Sequence, residues 1–227
     1  MIKALLLDLD GTLIDTAIDL VESLQMLLER HGRKRIDYDL ARPAVPNGSA
    51  AIVKAGFGDL HDNEKLENLR VELLDIYQEQ LKRNPKLFDG LNKPLRDWES
   101  SGKPWGIVTN KPRFLTEPLL AITGIDSRIA ILVCGDDLAQ RKPHPLPLEY
   151  AADQLSLTPQ ECVYLGDDQR DVIACRAAGM PVLVAAYDYI PDGEDPTQWN
   201  ADELVAHPSE LLAKVSAIAE QSLPVGQ

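Results

Sequence analysis

The sequence has few cysteines and no excess of positive charge, and each shortage excludes a class of protein. Only three cysteines occur among 227 residues, and none lies in a CxxC pair, which argues against a disulfide framework or a zinc ribbon. Lysine and arginine number 23 against 36 acidic residues, and this net charge of -13 argues against binding to nucleic acid or to an anionic membrane surface. No apolar run approaches the length of a membrane span, and Asp8 and Asp10 interrupt the N-terminal run too early for a signal peptide. The sequence therefore predicts a cytoplasmic protein with no nucleic-acid and no membrane partner.

Common cofactor signatures are missing as well. There is no glycine-rich dinucleotide fingerprint and no Walker-type loop, which argues against NAD and ATP. The four histidines are scattered without zinc spacing. The composition, with 44% hydrophobic and 26% charged residues, is typical of a globular protein with one large domain or a domain plus a smaller one.

Short apolar runs alternate with helical patterns and predict an α/β fold. The predicted strands are Ala4–Leu9, Trp105–Val108, Ile129–Cys134, Cys162–Leu165 and Pro181–Ala186, and the helices that follow the later ones are 113–123, 145–155, 169–178 and 208–220. Uniformly apolar runs are typical of a parallel sheet that is covered on both faces. Repeated strand-then-helix order predicts a doubly wound, Rossmann-like sheet, which binds ligands at the carboxyl ends of its strands.

One long segment departs from this alternation. Residues 17–88 have helical periodicity and no convincing strand, with one apolar stripe that runs from Ile18 to Leu28 and a second from Leu66 to Leu81. We interpret the segment as an all-helical cap inserted after the first strand, with 84–90 as the return link. The predicted domains are therefore a core of 1–16 and 89–227 and a cap of 17–88.

Four polar clusters stand at or after the ends of the predicted strands. They are Asp8-Leu9-Asp10-Gly11-Thr12-Leu13, Val108-Thr109-Asn110-Lys111, Arg141-Lys142-Pro143-His144-Pro145 and Gly166-Asp167-Asp168-Gln169-Arg170-Asp171. Acids at the end of a buried strand are costly unless they are paired or bind a cation, and carboxylates are the ligands that Mg²⁺ prefers. The hydroxyl of Thr109 and the amide of Asn110 can bind a phosphoryl oxygen, and Lys142 is a compact charge for phosphate or for a carboxylate nucleophile.

Each cluster alone has a simpler interpretation. Acid–glycine pairs are common in turns, and Gly166-Asp167 alone is a strand-to-helix turn. Thr109-Asn110 alone is more often a helix N-cap, and Lys142 alone is more often a solvated lysine. The four clusters together, in this order, are much harder to explain in that way.

The set of motifs resembles the haloacid dehalogenase-like hydrolase superfamily, in its subgroup with a helical cap after the first strand. The resemblance covers nearly the whole chain, and it rests on Asp8-Leu9-Asp10-Gly11-Thr12-Leu13, Thr109-Asn110-Lys111, Lys142-Pro143 and Gly166-Asp167 with Asp171. More narrowly, the sequence is similar to bacterial phosphoglycolate phosphatases and to N-acetylmuramic acid 6-phosphate phosphatases. It implies a Mg²⁺-dependent phosphomonoesterase that acts on a small phosphorylated metabolite of one of these two types.

The resemblance also implies a role for each matching residue. Asp8 would attack phosphorus and form an aspartyl-phosphate, and Asp10 would protonate the leaving alcohol and then activate water. Mg²⁺ would be held by the Asp8 side chain, the Asp10 carbonyl and Asp167, with Asp171 supporting either the metal ligands or Lys142. Thr109 would bind a phosphoryl oxygen, and Lys142 would contact Asp8 and the phosphoryl group. Backbone amides around Gly11 and Thr12 would cradle the phosphate.

Substrate choice is expected to lie in the cap. Arg42 matches an arginine in both phosphatase groups, and Asn47-Gly48 is like the phosphoglycolate group, whereas the tract from Val108 to Phe114 is more like the muramic acid group. Asn47 and Gly48 are also a strong turn signal, so a purely structural turn is an equal alternative.

Two rival functions stay open from sequence alone. A sugar phosphomutase keeps Asp10 but usually has an acid where this chain has Gly166, which favours a plain phosphatase. A non-catalytic regulator on the same scaffold would be expected to have lost at least one reactive residue, and here none is missing. The oligomeric state is left as monomer or homodimer.

Overall fold

The computed structural model of the protein describes residues 1–81, 85–187, 189–190 and 193–221. Among them, no helix combines the length and the apolar character needed to cross a membrane. Two compact units are present: unit 1 comprises Met1–Ile14 and Lys86–Gln227, and unit 2 comprises Asp15–Pro85. The cap boundaries at 17 and 88 stay a prediction, and Asn84, at the start of the predicted link, lies outside the described residues.

Strands and helices are labelled in chain order over the described residues. The strands are β1 (Ala4–Leu7), β2 (Ile14–Asp15), β3 (Lys86–Leu87), β4 (Trp105–Val108), β5 (Ile131–Val133), β6 (Cys162–Gly166), β7 (Val182–Ala185) and β8 (Glu203–Val205). The helices are α1 (Ala17–Arg30), α2 (Tyr38–Ala41), α3 (Ser49–Phe57), α4 (Asn63–Gln80), α5 (Asn92–Ser100), α6 (Arg113–Thr123), α7 (Leu146–Gln154), α8 (Gln169–Ala178) and α9 (Leu211–Gln221). Short 3₁₀ turns occupy Arg42–Asn47, Pro159–Glu161, Pro196–Gln198 and Pro208–Glu210.

Unit 1 is built on a six-stranded parallel sheet. Its strand order is β5-β4-β1-β6-β7-β8, and each neighbouring pair is parallel. Every residue of β1, β4, β6 and β7 is buried, as uniformly apolar runs predict for strands that are covered on both faces. The predicted Rossmann-like α/β fold is confirmed, and β1 lies near the middle of the sheet.

Four of the elements lie outside the sequence-based prediction, namely β2, β3, β8 and α5. β8 is only three residues long and has a single buried residue, Val205, so it lacks the apolar run that marks a buried strand. α5 is rich in charged residues and buries only Pro94, Leu95 and Trp98. β3 pairs with β2, although Lys86–Leu87 lies within the range predicted to contain no strand. A strand of two residues is too short to show a periodic pattern in the sequence.

Unit 2 contains four helices among its described residues, and α1, α3 and α4 pack on one another. The apolar stripe of α1 buries Val21, Leu24, Leu27 and Leu28, as predicted. Ile18 does not belong to the stripe, since it is 63% exposed, and Ala17 is buried at that end of the helix instead.

Candidate active site

The predicted functional residues of unit 1 gather at one edge of its sheet. Asp8 follows β1, Thr109 follows β4, and Asp167 follows β6. Because β1 lies between β4 and β6 and all three strands are parallel, their carboxyl ends meet at the same edge.

Asp8 is held by its backbone and by both oxygens of its carboxylate. Its amide donates to the carbonyl of Leu165 at 2.9 Å. Its Oδ1 accepts from the Leu9 amide at 2.7 Å, and its Oδ2 lies 3.1 Å from Lys142 Nζ. The side chain keeps 15% exposure, so the carboxylate is oriented and still reachable from solvent.

The ammonium of Lys142 lies inside the protein. Its Nζ is 2.7 Å from Asp171 Oδ1, and it donates to the Tyr164 hydroxyl at 2.6 Å and to the Val108 carbonyl at 3.0 Å. Burial alone would lower the pKa of Lys142, but Asp171 and Asp8 raise that pKa by more, so the side chain stays charged. With 1% of the side chain exposed, the interpretation as a solvated lysine is wrong.

Three carboxylates converge next to this ammonium. One oxygen from each of Asp8, Asp167 and Asp171 lies within 4.8 Å of the others. Asp167 Oδ1 also accepts from the Thr12 hydroxyl at 2.7 Å. Burial, together with the charges of Asp8 and Asp171, holds the pKa of Asp167 well above its usual range. A set of clustered oxygen ligands that repel one another is chemically suited to a hard divalent cation.

Asp171 connects the lysine to helix α8. Its Oδ1 contacts Lys142, and its Oδ2 accepts from the Asp168 amide at 3.2 Å. Burial raises the pKa of Asp171, and the opposing effect of Lys142 is smaller. Asp168 caps α8 and pairs with Arg170 at 2.6 Å, so Gly166-Asp167-Asp168 does form the strand-to-helix turn as well. Asp171 thus contacts Lys142 directly and also lies within 4.8 Å of the proposed metal-ligand oxygens of Asp8 and Asp167, so both supporting roles predicted for it stay open.

Glycine is required at two positions around these carboxylates. Gly11 has a φ of +79°, and a Cβ there would lie 2.7 Å from Asp167 Cγ and 2.8 Å from Tyr189 Cγ. A Cβ at Gly166 would lie 2.7 Å from Asp171 Cβ and would overlap the carboxylate of Asp171. Side chains at either position would therefore displace the acids. The Gly11 amide donates to Ile14 at 3.1 Å, so what Gly11 contributes in this structure is space and a turn.

Asp10 has a partner that sequence analysis did not identify. Lys111 Nζ lies 2.9 Å from Asp10 Oδ1 and 3.2 Å from Oδ2. The Lys111 side chain is 5% exposed, whereas that of Asp10 is 29% exposed. The two residues are 101 positions apart in sequence. The sequence analysis includes Lys111 only as the last residue of the Thr109-Asn110-Lys111 motif. The sequence feature that could have indicated this pairing is the position of Lys111 in a polar cluster at the end of a strand, because acids buried there need a counter-ion.

Thr109 and Asn110 do not cap the next helix. The N-cap of α6 is Pro112, so that alternative interpretation is wrong. Thr109 is 4% exposed, and its hydroxyl accepts from the Lys111 amide at 3.2 Å. Asn110 Nδ2 donates to the Lys142 carbonyl at 2.9 Å, which ties the loop after β4 to the loop that carries the lysine.

The three predicted cap residues lie in unit 2. Arg42 is half-buried at the start of the 3₁₀ turn Arg42–Asn47, and Asn47 is exposed at its end. Gly48 has a φ of +82°, and its amide donates to Val45 at 3.0 Å. The turn signal of Asn47-Gly48 is thus present as a turn, and substrate contact by these residues stays a prediction.

Comparison with protein families gives a match over most of the chain. The model of the family described as haloacid dehalogenase-like hydrolase matches residues 5–185. This range contains Asp8, Asp10, Thr109, Lys111, Lys142, Asp167 and Asp171.

Individual relatives match almost end to end. A phosphoglycolate phosphatase of Xanthomonas campestris pv. campestris is 44% identical over 209 residues, which are 92% of this chain and 94% of the relative. An N-acetylmuramic acid 6-phosphate phosphatase of Pseudomonas aeruginosa is 39% identical over 211 residues, or 93% of each chain. A crystal structure from Haemophilus somnus, described as a predicted phosphoglycolate phosphatase, has a TM-score of 0.83 and 24% identity, with 94% of this chain and 98% of that chain covered. This last likeness concerns the fold.

Proposed function

Since the chain belongs to the haloacid dehalogenase-like hydrolase family, we propose that it is a Mg²⁺-dependent phosphomonoesterase acting on a small phosphorylated metabolite. The observation that carries the proposal is the grouping of Asp8, Asp167 and Asp171 within 4.8 Å around the buried ammonium of Lys142. Carboxylates so placed serve as nucleophile and metal ligands, and the lysine offsets charge on a phosphoryl group.

The donor set supports a magnesium site. We propose that the ion is bound by the Asp8 carboxylate, the Asp10 main-chain carbonyl and the Asp167 carboxylate. When bound, Mg²⁺ would neutralise charge on the phosphoryl oxygens and on the nucleophile. Asp167 is positioned for this role by Thr12, whose hydroxyl fixes one carboxylate oxygen at 2.7 Å.

Asp8 is proposed as the nucleophile. Attack of a carboxylate oxygen of Asp8 on phosphorus breaks the bond to the leaving alcohol and forms an aspartyl-phosphate. Lys142 holds Asp8 Oδ2 at 3.1 Å before attack and is close enough to stabilise charge on the transferred group. The second carboxylate at the lysine, Asp171, keeps the ammonium in place during this step.

Asp10 is proposed as the acid and then the base. In the first step its proton passes to the leaving alkoxide, and in the second step it takes a proton from the water that attacks the aspartyl-phosphate. Its 29% exposure leaves it accessible to both partners. Thr109, Asn110 and the Thr12 amide are proposed to hold the phosphoryl oxygens.

A phosphatase is favoured over a phosphomutase at Gly166. The acid that such mutases usually carry at this position would overlap the carboxylate of Asp171, because even a Cβ there lies 2.7 Å from Asp171 Cβ. Release of inorganic phosphate from a sugar phosphate would distinguish the two reactions, since a mutase returns an isomer.

The direct test is turnover of p-nitrophenyl phosphate by the wild type and by Asp8→Asn. We expect the substitution and removal of divalent metal each to abolish turnover, while circular dichroism shows an intact fold. Asp97→Asn is a suitable control, because Asp97 is 50% exposed and pairs only with Lys93 among the ion pairs of the described residues. Full activity of Asp8→Asn would reject the mechanism.

Substrate identity is proposed from the relatives. We propose 2-phosphoglycolate or N-acetylmuramic acid 6-phosphate, with Arg42, Asn47 and Gly48 of unit 2 as specificity residues. A comparison of kcat/KM for both compounds within a wider screen of phosphorylated metabolites decides between them. A cytoplasmic location, and a state of monomer or homodimer, are further parts of the proposal, to be checked by cell fractionation and by light scattering.

A further inference from the structure

Lys111 is a buried lysine that the proposed reaction leaves without a role. Its ammonium lies 2.9 and 3.2 Å from the two carboxylate oxygens of Asp10, and its side chain is 5% exposed. Few lysines are buried to this degree unless they are paired with a specific acid. Its partner here is the residue proposed to move the proton.

We propose that Lys111 is a positioning residue for Asp10, which holds the Asp10 carboxylate in the orientation that proton transfer to and from it requires. This inference rests on the proposed phosphatase function. It assigns a role to Lys111, for which the similarity to haloacid dehalogenase-like hydrolases implied none. This role differs from that of Lys142, the other lysine of the site.

The backbone of Lys111 is anchored on both sides of the residue. Its amide donates to the Thr109 hydroxyl at 3.2 Å, and its carbonyl accepts from the Gly135 amide at 3.0 Å. The backbone of Gly135 packs closely against that of Asn110, because a Cβ at Gly135 would lie 2.6 Å from the carbonyl carbon of Asn110. The ammonium is therefore presented to Asp10 from a fixed loop rather than from a mobile surface chain.

The two lysines of the site serve different acids. Lys142 contacts Asp8 and Asp171, whereas Lys111 contacts Asp10. When the phosphorus–oxygen bond to the leaving group breaks, the alkoxide takes the proton of Asp10, whose carboxylate is held in place by the contact with Lys111. In the following step the same contact holds that carboxylate in place while it takes a proton from water and the bond from phosphorus to Asp8 breaks.

This role predicts a dependence on the leaving group. An aryl leaving group such as p-nitrophenolate departs with little help from an acid, whereas an alkoxide needs the proton. Loss of Lys111 should therefore slow attack on an alkyl phosphate much more than attack on p-nitrophenyl phosphate. General acid catalysis supplies about 10²–10⁴-fold, so we expect the ratio of the two kcat/KM values to change by at least about tenfold.

The experiment compares Lys111→Met, Lys111→Arg and wild type with 2-phosphoglycolate and p-nitrophenyl phosphate in the presence of Mg²⁺. Methionine keeps the length of the side chain and removes its charge, whereas arginine keeps a charge and should partly restore the ratio. Lys93→Met, at a lysine that is 82% exposed, is the matched control and should leave both rates unchanged. Thermal unfolding of each variant checks that the comparison is made on folded protein.

A second measurement separates positioning from a structural role. In an Asp10→Asn background, Lys111→Met should cause little further loss, because both substitutions remove the same contribution. Equal losses for both substrates, or additive losses in the double variant, would overturn the role of Lys111. A wild type that is inactive towards every phosphomonoester would instead reject the proposed function itself.

Discussion

Removal of the Lys142 ammonium should destabilise the folded chain as well as abolish activity. Lys142 is 1% exposed and contacts Asp171, which is 2% exposed, and Asp8, which is 15% exposed. In Lys142→Met both carboxylates lose their counter-ion inside the protein. Breaking a buried ion pair from one side costs about 3–5 kcal/mol, because an uncompensated charge stays buried.

The magnitude can be measured by unfolding in the presence of EDTA. For a chain of this size, 1 kcal/mol corresponds to a shift of about 2–4 °C, so Lys142→Met should lower the midpoint of thermal unfolding by roughly 6–20 °C. Urea denaturation gives the free energy of unfolding directly. EDTA is needed because a divalent cation bound to the carboxylates that have lost their counter-ion would mask part of the loss.

A double variant provides the control. Lys142→Met combined with Asp171→Asn removes both members of the most deeply buried pair, and an asparagine oxygen can still accept from the Asp168 amide. We expect the double variant to recover part of the lost stability while it stays inactive. The reasoning is refuted if Lys142→Met costs less than about 1 kcal/mol, or if the double variant is no more stable than the single one.

Three further outcomes are expected. Gly11→Ala should abolish activity and lower the free energy of unfolding by about 1–3 kcal/mol, because the added Cβ would overlap Asp167. Gly32→Ala, at a similar φ of +66° with open space around it, should keep activity. Turnover and urea denaturation of the two variants test this difference. Tyr164→Phe should keep most activity and lower the free energy of unfolding, measured by urea denaturation, by about 1–2 kcal/mol. The three N–H groups of Lys142 still have three acceptors, in Val108, Asp8 and Asp171. Complete inactivity of this variant would contradict that count. Binding of inorganic phosphate, followed by calorimetry, should require Mg²⁺ and disappear with EDTA, and metal-free binding of equal affinity would contradict the charge argument.

The sheet of unit 1 was predictable because its central strands are uniformly apolar. β1, β4, β6 and β7 are buried along their whole length, and none of them contains a charged side chain that would interrupt the apolar pattern. β8 and α5 were missed for the opposite reason, since each buries only a few of its residues. Short or largely exposed elements are specified by the neighbours they pack against, and a sequence window does not contain those neighbours.

The residues of the site were predictable, but not their partners. A strand-end position can be inferred from a local motif, and this placed Asp8, Thr109 and Asp167 at one edge of the sheet. The contact between Thr12 and Asp167 spans 155 residues, and that between Lys111 and Asp10 spans 101. Such pairings depend on how the loops are positioned over the sheet. The sequence therefore indicates that the buried acids need a counter-ion, but it does not indicate which residue provides it.

The charges of the site explain how an acidic chain can act on an acidic substrate. Asp8, Asp10, Asp167 and Asp171 contribute four formal negative charges, and Lys111 and Lys142 contribute two positive ones. With every acid ionised and no metal bound, the acids of the site therefore exceed its lysines by two charges, and a divalent cation would offset this excess. The site would therefore repel a phosphate group without metal and accept it with metal, whatever the net charge of -13 does at the surface. Overall acidity argues against extended polyanions such as nucleic acid, because these contact the whole surface, but it does not argue against a single phosphate in a site whose own charge is balanced.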